Sequence, residues 1–221
     1  MLLEIKDVIT ETELVQLRNI AARAKFVDGR LTNSGFSAKA NLQIDPGAED
    51  FAQSAKLVSD AFTRSREFRD FTFARRMAPP LLARYEPGMK YGAHADAAFL
   101  PQAKGVLRSD ISCTLFLSDP STYAGGELVI HIGDRAIPVK LQPGAAILYP
   151  STTLHEVIPV RSGERLVSIT FIESVIQDER NREILYELGE VSALEGDNMH
   201  VANRMRLEVV RQNLTRRWSV N

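Results

Sequence analysis

The sequence predicts an α+β chain built on a mainly antiparallel β core, and three observations predict it. Helical periodicity near the start gives way after residue 80 to short runs rich in β-branched and aromatic residues. Turn signals such as DPSTYAGG, QPGA and RSGE separate those runs. Helical composition returns after residue 175, so the order is helical, all-β, helical. The expected architecture is a sandwich or barrel in three parts. A helical and flap region over 1–77 packs on a core over 78–175, and a helical extension covers 176–221.

Taken in order, Thr10 and Glu13 form a capping-box pattern, and Leu14, Leu17 and Ile20 follow at helical spacing, so a helix starts near residue 10. NSGFSAKANLQID breaks that periodicity and predicts a loop running into a strand or surface flap. A second amphipathic helix is expected over about residues 49–64, before the prolines of APP. LLARY, ISCTLFL, ELVIHI, AIPVKL, AAILYP, HEVIPV and RLVSITFIE are the expected strands. DERNREILYEL and NRMRLEVVRQNLTRRW are the expected C-terminal helices. In the last, Met205, Leu207, Val209, Val210 and Leu214 make an apolar stripe for the barrel or for another subunit.

At 221 residues and 44% hydrophobic, the chain is long enough to bury a sizeable core. Lys and Arg number 27 against 28 for Asp and Glu, and a net charge of −1 excludes the electrostatic footprint of a nucleic-acid or anionic-membrane binder. A small-molecule or peptide partner is expected instead. The single cysteine, Cys113, excludes an internal disulfide and points to a reducing, cytoplasmic compartment. MLLEIKDVITETEL lacks the pattern of a signal peptide, and no apolar run reaches the roughly 18 residues of a membrane span.

The chemistry concentrates in KYGAHADAAFL, where His94 and Asp96 stand one residue apart. Alone the pair is a weak signal, because loop His and Asp commonly serve turns or solvent. Context strengthens it: His155 begins the run HEVIPV, and ten positions on Arg165 begins RLVSITFIE. Strand alternation puts Arg165 on one face with Val167, Ile169 and Phe171. A guanidinium on an apolar face is costly unless an anion meets it, either a protein carboxylate or a bound ligand. Two histidines and one carboxylate on one side of a metal form the facial triad of non-haem Fe(II) oxygenases. A 2-oxo acid and O₂ suit the open positions of such a site, and the fork of Arg165 suits the distal carboxylate of that acid.

With these residues in place, the sequence resembles the Fe(II)/2-oxoglutarate-dependent dioxygenases, and within them the prolyl-4-hydroxylase-like group. YEPGMKYGAHAD matches that group's Tyr-x-x-Gly-x-x-Tyr-x-x-His-x-Asp pattern at Tyr85, Gly88, Tyr91, His94 and Asp96. FVDGR, RSDISCTLFLSDPSTYAGGELVI, VKLQPGAAILYPSTTLHEVIPVRSGERLVSITFIES and RNREILYEL look like the bacterial PKHD-type hydroxylases, a group similar to proteins linked with iron uptake. The resemblance implies a double-stranded β-helix, or cupin-like jelly-roll, with helices packed on it. It implies Fe(II) on His94, Asp96 and His155, 2-oxoglutarate on Arg165, O₂ as second co-substrate and L-ascorbate as reductant. It also makes association of copies through the terminal helices an expectation. The tyrosine that helps hold 2-oxoglutarate in animal prolyl hydroxylases is replaced here by Phe116, which leaves Tyr85, Ser112 or Thr114 for that role. Related halogenases have a small residue where Asp96 stands, so hydroxylation is the expected outcome.

Plainer readings accompany the rest. His131 is expected to face solvent on a strand, His200 to lie on a loop or helix surface, and Cys113 to be a small core residue. Gly125 and Gly126 read as a hairpin turn, and Tyr85 and Tyr91 as core aromatics or site residues. Asn41 and Gln43 belong to an edge strand or to a flap that, with Tyr91, presents polar groups to substrate. Two other classes stay in view: a cupin-like metal or ligand sensor without turnover, and a zinc hydrolase. HEVIP carries no second histidine at helical spacing, which speaks against the hydrolase.

Overall fold

From residue 81 the chain shuttles between two facing sheets. Leu81–Tyr85, Ile111–Phe116, Ala146–Pro150 and Arg165–Ser174 lie in the larger sheet, and Lys90–His94, Leu128–Ile132 and His155–Val157 in the smaller. Every neighbouring pair is antiparallel. This alternation is the double-stranded β-helix that the resemblance implies. The computed structural model describes residues 1–32, 39–103 and 105–220.

The N-terminal region adds more strand than its composition predicts. Leu3–Ile5 extends one edge of the larger sheet, Leu42–Ile44 and Phe26–Asp28 extend the other, and Ala74–Met77 pairs with the far end of Arg165–Ser174. These pieces of three or four residues are too short to show alternation, so neighbours rather than pattern fix them. Lys39–Ala40 joins the smaller sheet beside Lys90–His94, and Arg135–Val139 closes its opposite edge. Residues 39–44 therefore bridge the two sheets. Residues 33–38 of the expected flap lie outside the described residues.

The helices back the outer face of the larger sheet. α1 (Glu11–Arg23) opens on the expected capping box: the Glu13 N–H donates to Thr10 Oγ1 at 3.2 Å, and the Thr10 N–H donates to Glu13 Oε2 at 2.8 Å. α2 (Glu49–Arg64) matches its expected span, and α3 (Arg66–Thr72) follows after Ser65, with Phe62 and Phe68 stacked at 4.6 Å. Leu17, Ile20, Val58, Phe62, Phe68 and Phe71 pack there on Ile111, Cys113, Leu115 and Leu148. α4 (Glu179–Glu195) reaches this core through Tyr186, edge-on to Phe71. α5 (Val201–Trp218) packs on α4 and buries no side chain fully, so its apolar stripe does not lie on the barrel. No described helix is long and apolar enough to cross a membrane.

Two expectations change. HEVIPV is not one strand: His155–Val157 belongs to the smaller sheet, and Val160–Ser162 pairs with Ala124–Gly125. Pro159 breaks the run because it has no N–H for a ladder. Gly125 and Gly126 likewise do not close a tight hairpin. Gly125, at φ 73°, lies so close to the Pro159 carbonyl that a Cβ would sit 2.1 Å from that oxygen.

Candidate metal centre

His94 ends one strand of the smaller sheet and His155 begins its neighbour, and the two are register partners. Both side chains enter the space between the sheets, with ring centroids 4.3 Å apart. Asp96 lies just past the strand end, where its N–H donates to the Ser151 carbonyl at 3.2 Å. His94 Nε2 is 3.8 Å from Asp96 Oδ1, and His155 Nε2 is 3.7 Å from Asp96 Oδ2. One ligand atom from each of the three falls within 4.8 Å of the others.

The imidazoles are set for a metal by their other nitrogens. His94 Nδ1 lies 2.8 Å from the Gly92 carbonyl and His155 Nδ1 lies 2.9 Å from the Thr153 carbonyl. A carbonyl only accepts, so each Nδ1 carries the proton and each Nε2 presents a lone pair to the centre. Burial, followed by the neighbouring His155, lowers the His94 pKa and favours the neutral ring that ligation requires. The donor set, two imidazoles and a carboxylate, fits Fe(II).

Arg165 enters the same inter-sheet core from the larger sheet, sharing its face with Val167 and Ile169 as alternation predicts. It is 1% exposed, and its guanidinium carbon lies 4.9 Å from the Tyr85 ring centroid and 5.6 Å from that of Phe116. Gly126 makes room for its stem, since a Cβ there would lie 3.1 Å from Arg165 Cδ. Among the described residues no carboxylate forms an ion pair with Arg165, and its Nε has no hydrogen-bond acceptor. A buried guanidinium in this state fits an anionic ligand such as the distal carboxylate of 2-oxoglutarate.

Residues 80–173 match the model of the 2OG-Fe(II) oxygenase superfamily. A PKHD-type hydroxylase of Sphingopyxis alaskensis is 50% identical over 91% of this chain and 92% of its own length. The chain belongs to the PKHD-type hydroxylases. Another relative, from Xanthomonas campestris pv. campestris strain B100, is 38% identical over 99% of both chains. Among solved structures, a Trichoplax adhaerens prolyl hydroxylase in complex with a hypoxia inducible factor peptide fragment superposes with a TM-score of 0.56 at 17% identity, covering 83% of this chain and 86% of its own. A viral collagen prolyl hydroxylase from Paramecium Bursaria Chlorella virus-1, in a 2OG complex, gives 0.52 at 20% identity, covering 79% and 96%. These two share the fold. The relatives and the family match make this chain a 2-oxoglutarate-dependent iron dioxygenase.

The structure gathers most of the residues singled out in the sequence around this dioxygenase centre. Tyr91 stacks on His94 with centroids 3.7 Å apart, Tyr85 flanks Arg165, and Gln43 pairs with Ala83 on the inter-sheet face. Asn41 is buried against Gly29, where a Cβ would meet its Oδ1 at 1.9 Å. Ser112, one of the residues expected on 2-oxoglutarate, donates its hydroxyl to Asp96 Oδ2 at 2.5 Å. His131 stands apart, 3.5 Å from Glu156, and His200 caps α5 at the surface. Cys113 is buried in the helix-backed core, which pushes its thiol pKa far up and makes it inert.

Sequence reasoning passes over Tyr149 and Lys39. Tyr149 lies across from Ser112 in the register and edge-on to His155 at 5.0 Å, and burial pushes its phenol well above the usual range against a hydrogen bond with Thr114. Period-two spacing from Ile147 is the available signal. Lys39, 5% exposed, holds its ammonium 5.2 Å from the Tyr91 ring centroid, and burial lowers its pKa to about 8. A lysine beside unpatterned flap text gives no such signal.

Proposed function

We propose that this enzyme hydroxylates an unactivated carbon of a small molecule or peptide, with His94, Asp96 and His155 holding Fe(II) and Arg165 receiving the distal carboxylate of 2-oxoglutarate. The observation that carries this reading is the buried Arg165, without a carboxylate partner among the described residues, in the same core as the His94, Asp96 and His155 cradle. Fe(II), with 2-oxoglutarate and O₂, would supply the oxidative decarboxylation to succinate and CO₂ and the oxidising power for the carbon. The protein's part is placement and exclusion of water. The Nδ1 bonds to Gly92 and Thr153 aim the imidazoles, and Tyr85 and Phe116 confine the guanidinium to one orientation. Thr114 and Tyr149 offer further hydroxyls on the co-substrate side, and Gln43, Asn41 and Tyr91 are the candidates for contact with substrate.

Peptidyl proline, a free amino acid and a siderophore-like molecule are the substrate classes this reading admits. The peptide complex of the Trichoplax relative supports the first. L-ascorbate belongs to the same reading as the reductant that restores Fe(II), and the lone buried cysteine supports a cytoplasmic setting. Val201, Met205 and Val209, exposed four residues apart on α5, support association of copies through the terminal helices. A monomeric mass by light scattering would remove that part.

The test is succinate formation by metal-free protein resupplied with Fe(II), 2-oxoglutarate and air, which uncoupled turnover makes visible without the true substrate. Succinate should appear only with Fe(II) and should rise with ascorbate. Absence of succinate from folded, Fe(II)-loaded protein would defeat the reading. Comparison of cell extract with and without active enzyme, searching for gain of one oxygen, then identifies the substrate.

A further inference from the structure

Three serines lead away from the metal cradle into the protein. Ser109, Ser112 and Ser151 are 6%, 2% and 2% exposed, and their hydroxyls form a chain ending on Asp96. Ser112 Oγ donates to Asp96 Oδ2 at 2.5 Å, Ser112 and Ser151 are 2.8 Å apart, and Ser109 donates to Ser151 at 2.7 Å. The middle bond has no direction by geometry alone. Proton counting supplies it: a carboxylate only accepts, so the single proton of Ser112 goes to Asp96, and Ser112 must accept from Ser151. Ser151 in turn accepts from Ser109. All three protons therefore point toward the carboxylate, an arrangement in which each bond polarises the next.

The main chain fixes the same loop. The Asp96 N–H donates to the Ser151 carbonyl at 3.2 Å, and the Ser109 N–H donates to the Ala98 carbonyl at 2.9 Å. Asp96 is thus tied by backbone and side chain to the larger sheet, while its histidine partners ride on the smaller one. Ser112 takes one lone pair of Oδ2, which lies 3.7 Å from His155 Nε2, while Oδ1 lies 3.8 Å from His94 Nε2.

We propose that the Ser109, Ser151 and Ser112 chain is a positioning relay that fixes Asp96 as a one-oxygen metal ligand across the gap between the sheets. None of the three serines touches the metal; each acts through Asp96. The inference rests on the metal reading above.

The test uses Co(II) as the probe, titrated into metal-free full-length protein and followed by its visible absorption. Failure of the unaltered protein to bind Co(II) would overturn the metal reading itself. Given binding, Ser112→Ala should weaken Co(II) affinity by roughly 10- to 100-fold and change the absorption band as Oδ2 becomes available, the range typical for loss of an outer partner of a ligand. Ser151→Ala should lose less, because Ser112 still donates, and Ser109→Ala least. Ser112→Thr keeps a hydroxyl and should recover most of the affinity. A serine with only a structural role would lower the melting temperature of the metal-free protein and leave the affinity and spectrum of the folded protein unchanged. Unaltered affinity and spectrum in Ser112→Ala would overturn the relay. Should that variant not fold, unaltered affinity in both Ser151→Ala and Ser109→Ala would overturn it equally.

Discussion

Along Ile111–Phe116 the side chains turned to the helices are Ile111, Cys113 and Leu115, while Ser112, Thr114 and Phe116 turn toward the smaller sheet. Arg165–Ser174 is mixed: by alternation Leu166 and Ile172 share the helix side with the buried Ser168 and Thr170, and Arg165 shares the inner side with Val167 and Ile169. The outer face of Ile111–Phe116 is apolar and close-packed, so each large side chain there contributes through burial. The inner face holds serines, tyrosines and a guanidinium at positions where apolar residues would stabilise the fold more. One set of strands therefore serves two ends, and a period of two keeps them apart.

Substitutions can break this contrast or sharpen it. The largest effect is expected at Asp96→Ala, which should abolish succinate formation while the metal-free protein still melts cooperatively, because the outer core is untouched. Arg165→Met should cost about 2–5 kcal/mol of co-substrate binding, some 30-fold or more in the 2-oxoglutarate requirement. The same variant should leave the melting temperature of metal-free protein unchanged or raised, since it removes a buried charge that has no anion among the described residues. Normal 2-oxoglutarate dependence in Arg165→Met would count against its role.

The mirror case is Phe62→Ala, in the outer core at 0% exposure. Denaturant unfolding should show a loss of about 3–5 kcal/mol, with the Michaelis constant for 2-oxoglutarate within about twofold of the unaltered value in the protein that remains folded. A large change in that constant would show that the two faces are coupled.

The smallest effect concerns Lys39, whose pKa burial lowers from 10.5 to about 8. The unfolded chain binds more protons than the folded one between those values, so this group's penalty is present below pH 8 and is relieved as pH rises toward 10.5. Lys39→Met should remove that component, and subtracting its stability-versus-pH curve from that of the unaltered protein should leave a rising slope above pH 8. Parallel curves would refute the assignment.

Much of this fold and site is legible in the amino-acid sequence. The capping box at Thr10, the helix over 49–64 and the alternation in ISCTLFL and RLVSITFIE rest on local spacing, which backbone geometry reads directly, while the pairing of the His-x-Asp motif with the later His155 and Arg165 rests on residue chemistry and on the family resemblance. Other features stay hidden because nothing local encodes them. Leu3–Ile5 and Phe26–Asp28 are strands only because an open sheet edge receives them. HEVIPV reads as continuous, and the break at Pro159 follows from where its neighbours are hydrogen-bonded. Nothing near Ser112 in the sequence shows where its hydroxyl goes, and only the folding of the Asp96 loop onto it brings that hydroxyl to Asp96.

By itself the sequence determined which residues share a face, because a strand's period of two needs no partner, and it determined the donor chemistry of His94, Asp96, His155 and Arg165. Tertiary structure alone decided which faces meet. It brought residues 94 and 155 into register, joined Ser109 and Ser112 to the distant Ser151 in one directed chain, and buried Lys39 against Tyr91. Those choices depend on sheet register and loop closure, which are set by the packing of the whole chain rather than by any one segment.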